Sequence, residues 1–142
     1  MFFFTFYFFS SILSYIDCTR FRVPNMIMFT SFILLMFFGI VEQQLNIYSF
    51  AVSISVLLFF IILLILKPKM ILGGGDIKYM MLTALYLKPF LFPLFLLTTG
   101  LVQTGFLIYK QYYKKRRIAP MVPAMFSAVI ITEILYFLGI YP

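Results

Sequence analysis

The chain contains no histidine. That removes Ser-His-Asp catalysis, histidine metal sites and histidine-ligated haem together. Cysteine occurs once, at Cys18. Neither an internal disulfide nor a thiolate zinc site can be built from it. No metal and no cofactor are expected from such an inventory. Charge is scarce as well: Asp and Glu number 4 in 142 residues, and all charged residues together make up 11%. A soluble domain carries about 25%. No tract has the character of a nucleic-acid module, so nucleic acid is not an expected partner.

What is present is hydrocarbon. The chain is 64% hydrophobic and 21% aromatic, against about 45–50% apolar in soluble domains. Long apolar runs without alternation argue for membrane helices and against a small β-barrel. The expected fold class is all-α: a polytopic membrane protein with six transmembrane helices in one membrane domain spanning residues 1–142. The expected helices are 1–16, 26–41, 47–66, 77–93 (short or kinked), 90–109 and 120–141. The first run has no basic n-region and no small-residue cleavage site, so it counts as a helix and not as a secretory signal. Residues 77–87 would span roughly 16 Å as a helix, too little for a ~30 Å core. Either the helix continues past Pro89 with a kink, or the glycine-rich stretch before it dips into the membrane, and a mixture is expected.

The basic residues are unevenly placed. Arg20 and Arg22 lie after the first run. Lys67, Lys69 and Lys78 flank the glycines, and Lys110, Lys114, Lys115, Arg116 and Arg117 follow the fifth run. Lys88 alone falls on the other side. The positive-inside rule puts the three basic loops in the cytoplasm and both termini outside. The expected location is the inner (cytoplasmic) cell membrane, as a multi-pass protein in contact with the lipid bilayer. Residues 114–117 read as a topology signal beside anionic lipid.

Residues 71–78 organise the chain. Gly73, Gly74 and Gly75 are poor helix formers, so a non-helical stretch is expected there. It carries Asp76, and a carboxylate at the edge of a bilayer is costly enough to mark function. The topology puts Asp17 on the same face, with no other acid. Two carboxylates sharing a site cannot both ionise easily, so the pair offers an acid and a base at once. Water-mediated peptide hydrolysis needs both. The glycines would let a substrate backbone approach closely, an added strand being one such mode. The plainer alternative makes Asp76 a helix N-cap after a glycine turn and pairs Asp17 with Arg20. A further alternative is a non-enzymatic membrane subunit, or a small ion- or proton-coupled transporter, using the same carboxylates. No convincing internal repeat supports it.

Three stretches resemble the type IV prepilin peptidases, membrane aspartic proteases of the Gly-x-Gly-Asp class. Asp17-Cys18-Thr19-Arg20-Phe21-Arg22-Val23-Pro24-Asn25 is similar to the family's Asp, basic pair and Ile/Val-Pro-Asn. Gly73-Gly74-Gly75-Asp76-Ile77-Lys78 matches its Gly-x-Gly-Asp-hydrophobic-Lys. Ala119-Pro120-Met121-Val122-Pro123-Ala124 resembles, more weakly, the proline-containing entry to its last helix. The resemblance implies Asp17 and Asp76 as the catalytic pair. It implies Gly73, Gly74, Gly75 and Lys78 as substrate-binding or loop-supporting residues, with no metal. The implied partner is a prepilin-like or preflagellin-like precursor, cut after a glycine between a short basic leader and a hydrophobic helix. The cysteine-rich cytoplasmic insert of the larger enzymes is missing, as in the minimal forms of Tad-type pilus systems and archaeal preflagellin peptidases. N-methylation is therefore not implied. The presenilin-like branch has a Tyr-Asp motif, whereas Tyr15-Ile16 precedes Asp17 here, so that match fails. Glu133, inside the sixth helix, is expected to contact Lys88. Gln103, Thr104 and Gly105 are expected to serve helix packing. Lys78 is left between tuning Asp76 and marking the interface. The sequence does not give the oligomeric state.

Overall fold

Apolar runs of helix-forming length, cut by proline, glycine and short polar breaks, become six α-helices among the described residues. The computed structural model describes residues 1–20, 23–66, 73–114 and 120–139. Expectations that rest on Arg22, Lys67, Lys69, Lys115, Arg116, Arg117 and Ala119 lie outside them, as does the side chain of Lys114. The helices are α1 (Phe2–Arg20), α2 (Asn25–Val41), α3 (Ile47–Leu66), α4 (Gly74–Tyr86), α5 (Phe92–Lys114) and α6 (Val122–Phe137). No strand occurs among the described residues.

The boundaries follow from local chemistry. Nothing in residues 17–20 breaks a helix, so α1 runs on to Arg20 instead of stopping at 16 and carries Asp17 inside its last turns. Pro24 has no N–H to give a helix interior, and it sits as the N-cap of α2 with φ −69° and ψ 125°. Lys88, restricted by Pro89, is extended at φ −61° and ψ 143°. The expected kinked helix over 77–93 is therefore replaced. α4 stops at Tyr86, and a 3-10 turn at Pro89–Leu91 leads into α5.

α4 has 13 residues, about 20 Å at the standard rise. Two helices, Phe2–Arg20 and Pro89–Tyr112, are long and apolar enough to cross a membrane. Asn25–Val41, Ile47–Leu63 and Val122–Phe137 are shorter apolar helices.

Short α4 forms the centre. It packs against α3, α2 and α6, while α6 also packs on α1 and α5, and α1 on α2. Ile77, Tyr79, Met80, Leu82, Thr83 and Ala84 of α4 are buried. Phe6 of α1 stacks on Tyr86 of α4, with ring centroids 3.8 Å apart and planes 4° apart. Hydrogen bonds also cross between the helices. Ser53 Oγ donates to the Met81 carbonyl at 2.9 Å across α3 and α4. Thr98 and Thr132 share a 3.2 Å hydrogen bond across α5 and α6. Gln103 is partly buried and Thr104 binds the Gly100 carbonyl of its own helix.

Candidate active site

The core face of α1 repeats at helical spacing through Phe2, Phe6, Ser10, Leu13 and Asp17, all buried. Asp17 is thereby turned inward, at 5% exposure, while Tyr15 and Cys18 face out. It makes no ion pair with Arg20. Its Oδ2 accepts the backbone N–H of Val122 at 3.1 Å. Met121 is the N-cap of α6, so Val122 is its first residue. That N–H has no acceptor within its own helix. Asp17 satisfies it and brings a negative charge to the positive end of the helix dipole, an interaction worth about 0.3–1 kcal/mol, and up to ~2 when partly buried.

Asp76 stands three residues after Gly73, the N-cap of α4. Its Oδ2 accepts the Gly73 N–H at 3.2 Å, one half of a capping box. The Asp76 N–H in turn binds the Gly73 carbonyl at 3.0 Å. Of the three glycines expected to be non-helical, only Gly73 is so. Gly74 and Gly75 form the first turn of α4, where N–H groups lack helical acceptors in any case, and Asp76 reaches back past them to the N–H of Gly73. The plainer alternative of an N-cap aspartate is displaced in register: Asp76 caps from the third helical position.

Burial pushes the Asp76 carboxyl up, the negative charge of Asp17 pushes it further, and the Gly73 N–H pulls it partly back; the result is about 6. The charge of Asp17, at the end of α1 and against the start of α6, is thus felt by Asp76 at the start of α4. One of them keeps a proton at mildly acidic pH while its neighbour sits against a helix N-terminus. Such a pair can both donate and accept a proton.

Two contacts tie the separate stretches together. A Cβ on Gly75 would lie 2.9 Å from Val23 Cβ and 3.0 Å from Val23 Cγ2, so only glycine admits Val23 here. A Cβ on Gly74 would meet nothing within 4 Å. The group that closes on Gly75 in this structure is the chain's own Val23, not open space for a visiting backbone. Lys78 Nζ donates to Asn25 Oδ1 at 2.7 Å. Its amine thus links α4 to the start of α2 and makes no contact with Asp76.

Sequence reasoning missed the Val122 N–H. Pro120 and Pro123, flanking a helix start, were its only signal. It also misplaced Glu133. The expected contact with Lys88 is not formed. Tyr86 OH donates to Glu133 Oε1 at 2.7 Å, and Tyr7 OH donates to Oε2. The Lys88 amine reaches outward, 3.5 Å from the Tyr136 hydroxyl. Long cations extend toward the surface, whereas buried hydroxyls satisfy a half-buried carboxylate. Glu42 accepts the Phe2 N–H at 3.1 Å. The four acids therefore divide between the two ends of α1. Among the described residues, no three His, Cys, Asp or Glu side chains gather as a metal site.

A family model described as the type IV leader peptidase family matches residues 4–108. No curated protein and no solved structure matches the chain. The matched stretch contains Asp17, the Val-Pro-Asn turn, the three glycines and Asp76. It ends before α6.

Proposed function

The chain belongs to the type IV leader peptidase family, and from that premise we propose that it is a membrane aspartic endopeptidase whose dyad is Asp17 and Asp76. The observation that carries this reading is that both motif carboxylates are turned inward and held at helix starts, Asp17 by the Val122 N–H of α6 and Asp76 by the Gly73 N–H of α4; burial, and then the charge of Asp17, raises the Asp76 carboxyl. In the proposed reaction Asp17, ionised, takes a proton from water. The resulting nucleophile attacks the scissile carbonyl carbon. Asp76, protonated, gives its proton to the carbonyl oxygen. The tetrahedral intermediate then collapses. Asp17 passes its new proton to the departing amine, and the intermediate returns one to Asp76, so both groups end as they began. Excluding water on substrate binding raises the Asp76 carboxyl further and keeps its proton in place near neutral pH.

The proposed substrate is a prepilin-like or preflagellin-like precursor with a short basic leader ahead of a hydrophobic helix. Six membrane crossings, with both termini outside, put the dyad at the cytoplasmic face of the inner membrane. Val23 at Gly75 and Lys78 on Asn25 act as supports that hold α4 and its aspartate in register.

The test is cleavage of a co-expressed precursor, read as a gel shift, with membrane insertion checked for each variant. Asp17→Asn keeps size and hydrogen bonding but removes the titrating proton. It abolishes cleavage, while Glu42→Gln does not. Combining it with Asp76→Asn is no worse than either change alone, because residues acting as one unit are non-additive. Substantial cleavage by Asp17→Asn removes it from the dyad. Normal cleavage by both Asn variants leaves the carboxylates as ion ligands of a transporter or as scaffold.

A further inference from the structure

At the end of the bundle opposite Asp17 and Asp76, a cavity of about 590 Å³ opens between α1, α4 and α6. Glu133, Tyr7, Tyr86 and Gln44 are among its polar lining, and Lys88 also faces it. Two charges thus border one space, and neither has a counter-ion. Glu133 meets only the neutral hydroxyls of Tyr7 and Tyr86. A carboxylate has about four acceptor sites, so capacity remains on both oxygens. Lys88 meets only the Tyr136 hydroxyl and the rings of Tyr136 and Phe90, at 5.2 and 6.0 Å. An anion and a cation that border one cavity without pairing are complementary to a zwitterion.

The rest of the cavity identifies the kind of zwitterion. Its rim is apolar and open, with Phe3, Ile134, Phe137 and Leu138 exposed, Phe137 at 90%. In a bundle whose outer helices are apolar, that rim faces acyl chains. We propose that this cavity binds the headgroup of a zwitterionic phospholipid bearing a primary amine. Its ammonium donates hydrogen bonds to Glu133, its phosphate accepts from Lys88, and its chains run over the apolar rim. Choline, lacking N–H donors, leaves the free acceptor sites of Glu133 unused. An anionic glycerol headgroup brings no cation to Glu133 and repels it. The site is separate from the aspartate pair and does not depend on the peptidase reading.

The test uses the purified full chain in detergent. Phosphatidylethanolamine, phosphatidylcholine and phosphatidylglycerol with identical acyl chains are titrated in, and bound lipid is counted by native mass spectrometry. Phosphatidylethanolamine binds about tenfold or more tightly than either competitor, the size of one charge-assisted hydrogen bond. Glu133→Gln removes that preference. Lys88→Gln weakens phosphatidylethanolamine and phosphatidylcholine alike. Lys88 is exposed, so its variant folds and decides the matter if Glu133→Gln does not. Equal binding of the three lipids by the wild-type chain overturns the proposal. So does unchanged phosphatidylethanolamine binding in Lys88→Gln.

Discussion

Asp76→Asn moves stability and activity in opposite directions. The Asp76 carboxyl is raised from 3.8 to about 6, first by burial and then by Asp17. A raised carboxyl binds its proton more tightly in the folded chain than in the unfolded one. Ionisation therefore opposes folding increasingly between about pH 4 and 6 and fully above that, and does not oppose it below about pH 3, where both states are protonated. Two units at about 1.4 kcal/mol each set a ceiling near ~3 kcal/mol. Asp76 is only partly buried, and solvent screening reduces this to about 1–2 kcal/mol. Asn carries no charge, and its side-chain oxygen still accepts the Gly73 N–H. At pH 7.5 the Asn variant is thus more stable by about that amount, or roughly 2–4 °C per kcal/mol in melting temperature. At pH 3 the gain vanishes. Thermal melts of both proteins in detergent, followed by circular dichroism at the two pH values, measure the difference of differences. A pH-independent gap, or an Asn variant that is less stable at pH 7.5, refutes the reasoning. The same variant loses precursor cleavage, as expected where a strained charge is kept for chemistry.

Three further outcomes follow from the same geometry. Gly75→Ala forces Val23 aside and costs about 1–3 kcal/mol, with cleavage reduced, whereas Gly74→Ala is neutral or gains up to ~1 kcal/mol of helix propensity; equal melting temperatures for the two variants sink the Val23 contact. The pH profile of kcat/KM falls on the alkaline side, with an apparent pKa of the pair near 6, as Asp76 loses its proton; a profile flat from pH 5 to 8 separates Asp76 from the reaction. Reporter fusions after Glu42 and after Lys115 show opposite sides of the membrane; the same side for both ends the two-faced topology.

Helix content was readable because hydrophobic runs and proline breaks act locally. The limits expected for the third helix, 47–66, coincide with those of α3. Boundaries went astray where the sequence carries weak punctuation. Polar residues 17–20 read as a loop, although none of them breaks a helix, and α1 continued through them. The glycine triplet read as a loop because each glycine costs about 1 kcal/mol in a helix interior. Two of the three sit in a first turn, where Val23 requires the bare Cα of Gly75, and the third is the N-cap whose N–H the Asp76 side chain accepts. Propensity was outweighed by a cap and a tertiary contact, both of which bind residues already recognised as motifs.

The polar contacts were harder to infer, for a reason rooted in charge scarcity. With four acids and eleven bases in the chain, opposite charges on one face invite pairing on paper: Asp17 with Arg20, Glu133 with Lys88. The structure pairs neither. Asp17 takes a backbone N–H 105 residues away, and Glu133 takes two tyrosine hydroxyls from α1 and α4. A buried carboxylate is better satisfied by rigid neutral donors already inside the bundle than by long cations that must leave water to reach it. A neutral partner leaves the charge of Glu133 uncancelled, whereas the Lys110 cation partly offsets that of Asp17. At Glu133 that charge is free to meet a headgroup. At Asp17 it adds to burial, the larger cause, in holding up the proton of Asp76, and a salt bridge to Arg20 would have weakened that second push.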